Sequence, residues 1–189
     1  MSFYVLEGID FAGKTTILNE LHRRRPEFII AENPPTELRP IKDIIDHSCS
    51  DNARMCYYLL GSLCVSQLSS NSKVPFIADR YYYTTLVYEA LRTGKAIGGI
   101  SSKYSHILNV MNEPEKTIFL TVSEEKMRER LHGRGITGLT DRFALDSQKR
   151  KELLKLYGHF IRELNWRVID TSNLGIEQVT DLVLEEINA

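Results

Sequence analysis

Cysteine is scarce and odd in number: Cys49, Cys56 and Cys64 are the only three in 189 residues. No C-x-x-C pair with nearby histidines accompanies them, so neither a disulfide framework nor a structural metal site is expected. Cys56 and Cys64 read as small core residues of one helix, as free cysteine commonly is, and a reducing compartment fits. An excess of either charge is also lacking. Lys and Arg number 24 against 25 Asp and Glu, a formal net charge of -1. That balance argues against a broad electrostatic grip on nucleic acid or an anionic membrane and leaves any phosphate chemistry to local basic residues. No apolar run reaches membrane-spanning length, and Glu7 and Asp10 arrive too early for a secretory leader. A cytoplasmic location is expected for the chain as given, an organellar one only if a leader has been removed. Internal repeats and interdomain linkers are lacking too. What is there is a globular composition, 42% hydrophobic and 26% charged, enough for one domain over residues 1–189 to bury a full core unaided.

Apolar residues 3–6 read as a buried strand, followed by a glycine-rich turn and an amphipathic helix over 14–25. A second strand is expected at 28–31, stopped by Pro34-Pro35. A short helix through Ile41, Ile44 and Ile45 and a longer one over 52–69 come next, then a third strand at 74–78 with Asp79 at its carboxyl end. Further expectations are a helix over 82–91, a loop over 94–99, a helix over 103–111, a strand at 116–121 and a helix over 124–131. The chain closes with a helix over 142–164, a strand at 166–169 and a helix over 176–187 whose Val179, Leu182, Val183 and Ile187 share a face. This alternation describes an α/β, doubly wound domain with a parallel sheet. Residues 132–140 interrupt it with glycines and an arginine, a segment too short for a domain and suited to a lid.

Gly8-Ile9-Asp10-Phe11-Ala12-Gly13-Lys14-Thr15 carries the chemistry. The G-x-x-x-x-G-K-[ST] spacing after a strand and before a helix is the P-loop pattern. Its glycines let backbone N–H groups turn toward a phosphate at a helix N-terminus. Gly8, Asp10, Ala12, Gly13, Lys14, Thr15 and Thr16 are therefore the expected ATP-binding residues, with Lys14 on the β- and γ-phosphates and Thr15 on Mg2+. A second constellation is Asp79-Arg80-Tyr81, where a strand end offers a carboxylate for Mg2+ or its waters and an arginine for a phosphate.

These residues resemble the thymidylate kinase-like family of nucleoside monophosphate kinases. Glu7 through Thr16 is similar to its opening motif, and Asp79-Arg80-Tyr81 with Thr84 and Tyr88 to its second signature. The mitochondrial-type UMP-CMP kinase branch is a closer match, through Pro34-Pro35-Thr36, Tyr58 with Leu60-Gly61, Asp79-Arg80-Tyr81, and Ser123-Glu124-Glu125 through Leu131-His132-Gly133-Arg134-Gly135. Glu32-Asn33-Pro34-Pro35 departs from the Glu-Pro-Gly-Gly of thymidylate kinases, and Ser62 stands where they place a base-contacting arginine. The resemblance implies a five-stranded sheet in the order 2-3-1-4-5, a homodimer formed largely by helix 52–69, and transfer of the ATP γ-phosphoryl to a pyrimidine nucleoside monophosphate. It also implies a lid arginine where the P-loop has none, which points to Arg134 as catalytic, with Arg130 and Arg142 as neighbouring candidates.

An acceptor that is already a phosphate, with a second pKa of about 6, needs no strong general base. The task is charge neutralisation and positioning, by Lys14 on the donor side and Arg80 on the acceptor side. Asp10 is a candidate to orient the acceptor or a magnesium-bound water, Glu32 to hold a sugar hydroxyl or a water, and Lys42 to reach the acceptor phosphate. Tyr58 is the first choice for base contact, Tyr88 the second. The leading expectation is a CMP, UMP or dUMP kinase. A thymidylate kinase, a kinase for another small substrate and a non-catalytic nucleotide-binding switch stay open, although no guanine-selective N/T-K-x-D motif favours the last. Small-molecule nucleotides are the expected partners, with neither nucleic acid nor membrane.

Overall fold

The computed structural model describes residues 2–132, the backbone of 133 and 134, and residues 145–188. Strand β1 (Phe3–Gly8) is buried at every residue, as a strand inside a parallel sheet must be. It is followed by α1 (Lys14–Arg24), β2 (Ile29–Glu32), a 3-10 helix (Thr36–Ile41), α2 (Lys42–Ser48), α3 (Asp51–Asn71), β3 (Phe76–Asp79) and α4 (Tyr82–Thr93). The second half carries α5 (Ile97–Lys103), α6 (Ser105–Leu108), β4 (Lys116–Thr121), α7 (Glu124–Arg134), α8 (Ser147–Glu163), β5 (Arg167–Asp170) and α9 (Ile176–Asn188). The strands form one parallel five-stranded sheet in the order β2-β3-β1-β4-β5, the order the resemblance implied. Among the described residues, no helix is long and apolar enough to cross a membrane.

The chain divides into two compact units, Leu6–Pro26 with Lys116–Ala189, and Met1–Val5 with Glu27–Glu115. In the first, Leu6, Ile9 and Leu21 are buried with Phe119, Leu120, Leu153 and Tyr157. β4 and β5 pair in register from Ile118↔Arg167 to Thr121↔Asp170. Arg24 reaches Asp181 at 2.6 Å and so ties α1 to α9. Arg150 of α8 is 5% exposed and donates to the Val122 carbonyl. Its burial is tolerable because the guanidinium finds an acceptor there.

In the second unit β2 and β3 pair from Ile29↔Phe76 to Glu32↔Asp79. Ser50 caps α3, its hydroxyl accepting from the Ala53 N–H at 3.3 Å. The loop expected over 94–99 is helical from Ile97: Ile97 and Ile100, one turn apart, are buried and offset the roughly 1 kcal/mol each that Gly98 and Gly99 cost a helix. The helix expected over 103–111 holds only at Ser105–Leu108, after Tyr104 breaks the run at φ -109, ψ 16. The cysteine reading also fails. The buried face of α3 runs through Met55, Leu59, Ser62, Ser66 and Ser69, which leaves Cys56 exposed and Cys64 half-buried.

Candidate active site

In the first unit, the turn after β1 is shaped by close approach. A Cβ on Gly8 would lie 2.3 Å from the Leu120 carbonyl oxygen, and Gly8 sits at φ +150, so only glycine lets the loop begin against β4. Phe11 is left-handed at φ 66, and Gly13, at φ 94, is the N-cap of α1. Among the described residues no side chain caps this helix and no acidic residue stands in its first turn. An uncapped helix N-terminus of this kind suits a phosphate. Lys14 is 7% exposed, and its Nζ donates to the carbonyls of Gly8 at 2.8 Å and Ile9 at 3.0 Å. The ammonium thereby curls over the loop. Thr15 and Thr16 are exposed on the first turn, Asp10 is half-buried and Ala12 is buried.

Arg130, a neighbouring candidate for the transfer-path cation, bonds the P-loop and the residue after β5. Its Nη1 donates to the Phe11 carbonyl at 2.9 Å and to Thr171 Oγ1 at 3.0 Å, and its Nη2 to the Thr171 carbonyl at 2.8 Å. Burial lowers its pKa from the ordinary guanidinium value. The side chain of Arg134, at the end of α7, lies outside the described residues, as does Arg142. Thr171 was not singled out from the sequence. Its place just beyond the carboxyl end of β5 was the available signal, since ligand-handling residues gather at such ends.

In the second unit, β3 delivers Asp79 and Arg80. Arg80 is left-handed at φ 72, a conformation costing a non-glycine residue about 1–2 kcal/mol. Its Nη1 donates to Thr84 Oγ1 at 3.3 Å and its guanidinium lies 6.0 Å from the Tyr88 ring centroid. Thr84 and Tyr88, one turn apart on α4, thus fix the cation from two sides. Among the described residues, Asp79 Oδ1 is buried with no hydrogen-bond partner. A bare buried carboxylate oxygen is costly unless something polar joins it, so Asp79 fits a cation or its bound water.

The other acceptor-side candidates are engaged with one another. Glu32 accepts from Arg39 and from Thr36 Oγ1. Asp46, which the sequence reading missed, is a hub: Lys42 pairs with it at 2.7 Å and the Tyr58 hydroxyl donates to it at 2.8 Å. Burial, with the Asp46 carboxylate adding to it, pushes the Tyr58 phenol up, so Tyr58 stays a donor. Ser62 is fully buried. Its hydroxyl accepts from Asn33 Nδ2 at 2.9 Å and donates to the Tyr58 carbonyl at 3.2 Å, which closes it into the α3 packing. Its neighbour Gly61 explains the packing. A Cβ there would lie 2.7 Å from Asn33 Oδ1 and 2.8 Å from Pro34 Cβ. Tyr82 and Tyr83 both donate to the Glu113 carboxylate and Tyr81 to the Asn112 carbonyl. Burial pushes the Tyr81 phenol up to about 12, and these three rings brace α4.

The sequence profile of the thymidylate kinase family matches residues 6–183. The chain is 26% identical to a probable thymidylate kinase of Metallosphaera sedula, over 98% of this chain and 91% of that one. It is 27% identical to the thymidylate kinase of Mycoplasma mobile, over 70% and 71%. Among solved structures, the fold is similar to thymidylate kinase from Candida albicans, with TM-score 0.75 and 20% identity over 99% of this chain and 91% of that one. It is similar also to thymidylate kinase from Ehrlichia chaffeensis, with TM-score 0.72 and 14% identity over 100% and 98%. Each of these relatives is a thymidylate kinase by name, so the UMP-CMP branch rests on short motifs alone. Family members use ATP with Mg2+, and the uncapped start of α1 and the unpartnered Asp79 oxygen fit that pair. The chain belongs to the thymidylate kinase family of P-loop nucleoside monophosphate kinases.

Proposed function

We propose that the protein transfers the γ-phosphoryl of ATP to thymidine monophosphate, giving the diphosphate and ADP. The family match over residues 6–183, with relatives named as thymidylate kinases, carries this choice of acceptor. In the first unit, the backbone around Gly8, Ala12 and Gly13 cradles the donor phosphates. Lys14 leaves the Gly8 and Ile9 carbonyls for phosphate oxygens, and Asp10 orders water or acceptor at the loop. Thr15 is the magnesium-facing hydroxyl of this unit. In the second unit, the buried Asp79 oxygen suits a cation or its bound water. Bound Mg2+ offsets charge on the phosphates. Arg80, held by Thr84 and Tyr88, neutralises the acceptor phosphate and orients it. Glu32 and Lys42 act through their pairs with Arg39 and Asp46, and Tyr58 holds Asp46 in place. Arg134 supplies the cation at the transferring phosphoryl, and Arg142 is a further candidate for binding substrate.

A CMP, UMP or dUMP acceptor is the second reading. Ser62 favours it: a sealed hydroxyl stands where thymidylate kinases place an arginine, so one base-edge donor is missing. ADP release measured across dTMP, dUMP, UMP, dCMP and CMP, beside acceptor-free controls, separates the two. Preference for dTMP is expected. Preference for a cytidine or uridine nucleotide selects the second reading, and no stimulation by any acceptor defeats both. Helix α3 exposes Leu60 at 47% and Leu68 at 52%, with Cys56 on the same stripe, and this apolar face is the proposed homodimer contact.

A further inference from the structure

Two carbonyls of the P-loop are held from far along the chain. Phe11 O accepts from Arg130 at 2.9 Å. Ala12 O accepts at 3.0 Å from the Thr171 hydroxyl, which shares its one proton with the Thr121 carbonyl at 3.1 Å. The two donors are themselves locked together, Arg130 Nη1 donating to Thr171 Oγ1 at 3.0 Å and Nη2 to the Thr171 carbonyl at 2.8 Å. Thr171 is 3% exposed, and its N–H donates to the Thr121 carbonyl at 2.9 Å, which anchors it to β4. We propose that Thr171 and Arg130 are positioning residues that set the phosphate-binding shape of the loop by pinning these carbonyls.

Peptide orientation carries the effect. In a trans peptide the C=O of one residue and the N–H of the next point to opposite sides. With Ala12 O held on Thr171, the Gly13 N–H is turned away from Thr171. With Phe11 O held on Arg130, the Ala12 N–H is fixed where it closes the turn on the Ile9 carbonyl at 3.3 Å. Local sequence does not favour this arrangement. Phe11 at φ 66 is a bulky residue in left-handed space, which its own side chain disfavours. Strained backbone persists where its surroundings over-determine it, and here the over-determining groups are a guanidinium and a hydroxyl. A rotated Ala12–Gly13 peptide presents a carbonyl oxygen in place of the Gly13 N–H, which repels a phosphate, and a rotated Phe11–Ala12 peptide loses the turn bond to the Ile9 carbonyl. The clamp therefore controls ATP affinity through the loop, with neither side chain required to touch the nucleotide. It rests on donor binding by the P-loop and is independent of which acceptor is used.

The test is acceptor-free ATP binding, measured by equilibrium dialysis on the full-length protein, together with kcat and both KM values. Thr171→Val keeps the shape and removes the hydroxyl, and Thr171→Ser restores it. The valine variant is expected to bind ATP about tenfold more weakly, the net effect of losing one to two hydrogen bonds, with acceptor KM unchanged and the serine variant close to the parent. Arg130→Lys keeps the charge and loses the two-pronged reach. It is expected to weaken ATP binding similarly while retaining kcat at saturating ATP. Unchanged ATP affinity in folded Thr171→Val overturns the proposal, leaving a purely structural role. A lower kcat at unchanged affinity in Arg130→Lys overturns it as well, because it puts Arg130 at the transferring phosphoryl.

Discussion

Two residues separate contact from position. Gly61 touches nothing that reacts, yet its missing Cβ is what admits Asn33 and Pro34 onto α3. Gly61→Ala has to push that segment away, because one of the crowding atoms is the backbone-linked Pro34 Cβ at 2.8 Å. Denaturant unfolding should show a loss of about 1–3 kcal/mol, the usual range for overpacking, and acceptor KM should rise while ATP KM holds. Arg134 tests the other category. If it meets the charge that develops during transfer, Arg134→Ala lowers kcat on the order of a thousandfold, as for arginines in that role, and leaves ATP affinity almost untouched. Equal losses in kcat and in ATP binding remove it from the transfer step. The residue scale is also where sequence reading reached least far. Lys14 and Arg80 are candidates from sequence because a spaced motif and a strand end name them. Thr171, Asp46 and Asn33 were not, since each acquires its role from a partner that only packing supplies, as Arg130 does for Thr171. The bond from the Tyr58 hydroxyl to Asp46 was hidden for the same reason.

Elements were legible to the extent that their own residues decide them. β4 is found at the predicted residues, and α1 within a residue of its expected end, because apolar runs and periodicity fix both. β3 starts later than expected, at Phe76, because Ser72 turns back on Val74, donating to its carbonyl at 2.7 Å, before Pro75. Helix α1 also carries a pH dependence. Its Glu20 accepts from Arg23 and Arg24, and these hydrogen bonds lower its carboxyl to about 2 from the ordinary 4.5. A carboxyl depressed on folding contributes stability that is complete above the unfolded value and is lost as pH falls through the folded one. Between pH 4.5 and 2 the protein should therefore lose stability that Glu20→Gln does not lose. The contribution is modest for an exposed pair and weakens with salt. Unfolding followed across that range, at low and high salt, reads the difference. A slope unaltered by Glu20→Gln assigns the acid sensitivity to other carboxylates.

A net charge of -1 is compatible with the phosphate handling proposed above, which asks for single cations, Lys14 in one unit and Arg80 in the other. Light scattering tests the assembly proposed for α3. A mass near twice 21.7 kDa is expected for the parent, and the monomer mass when Leu60 and Leu68 are both changed to glutamate. A monomeric parent at micromolar concentration removes the dimer.

The P-loop motif is complete within the first sixteen residues, but the donors on its carbonyls come from positions 119 and 159 residues away in the chain. During synthesis, then, the entire nucleotide motif leaves the ribosome long before it works. A nascent chain ending after β4 holds every motif residue and lacks both Arg130 and Thr171. On the clamp proposed above, full affinity for ATP is expected only once the fifth strand joins the sheet, so tight nucleotide capture would report that β5 is in place.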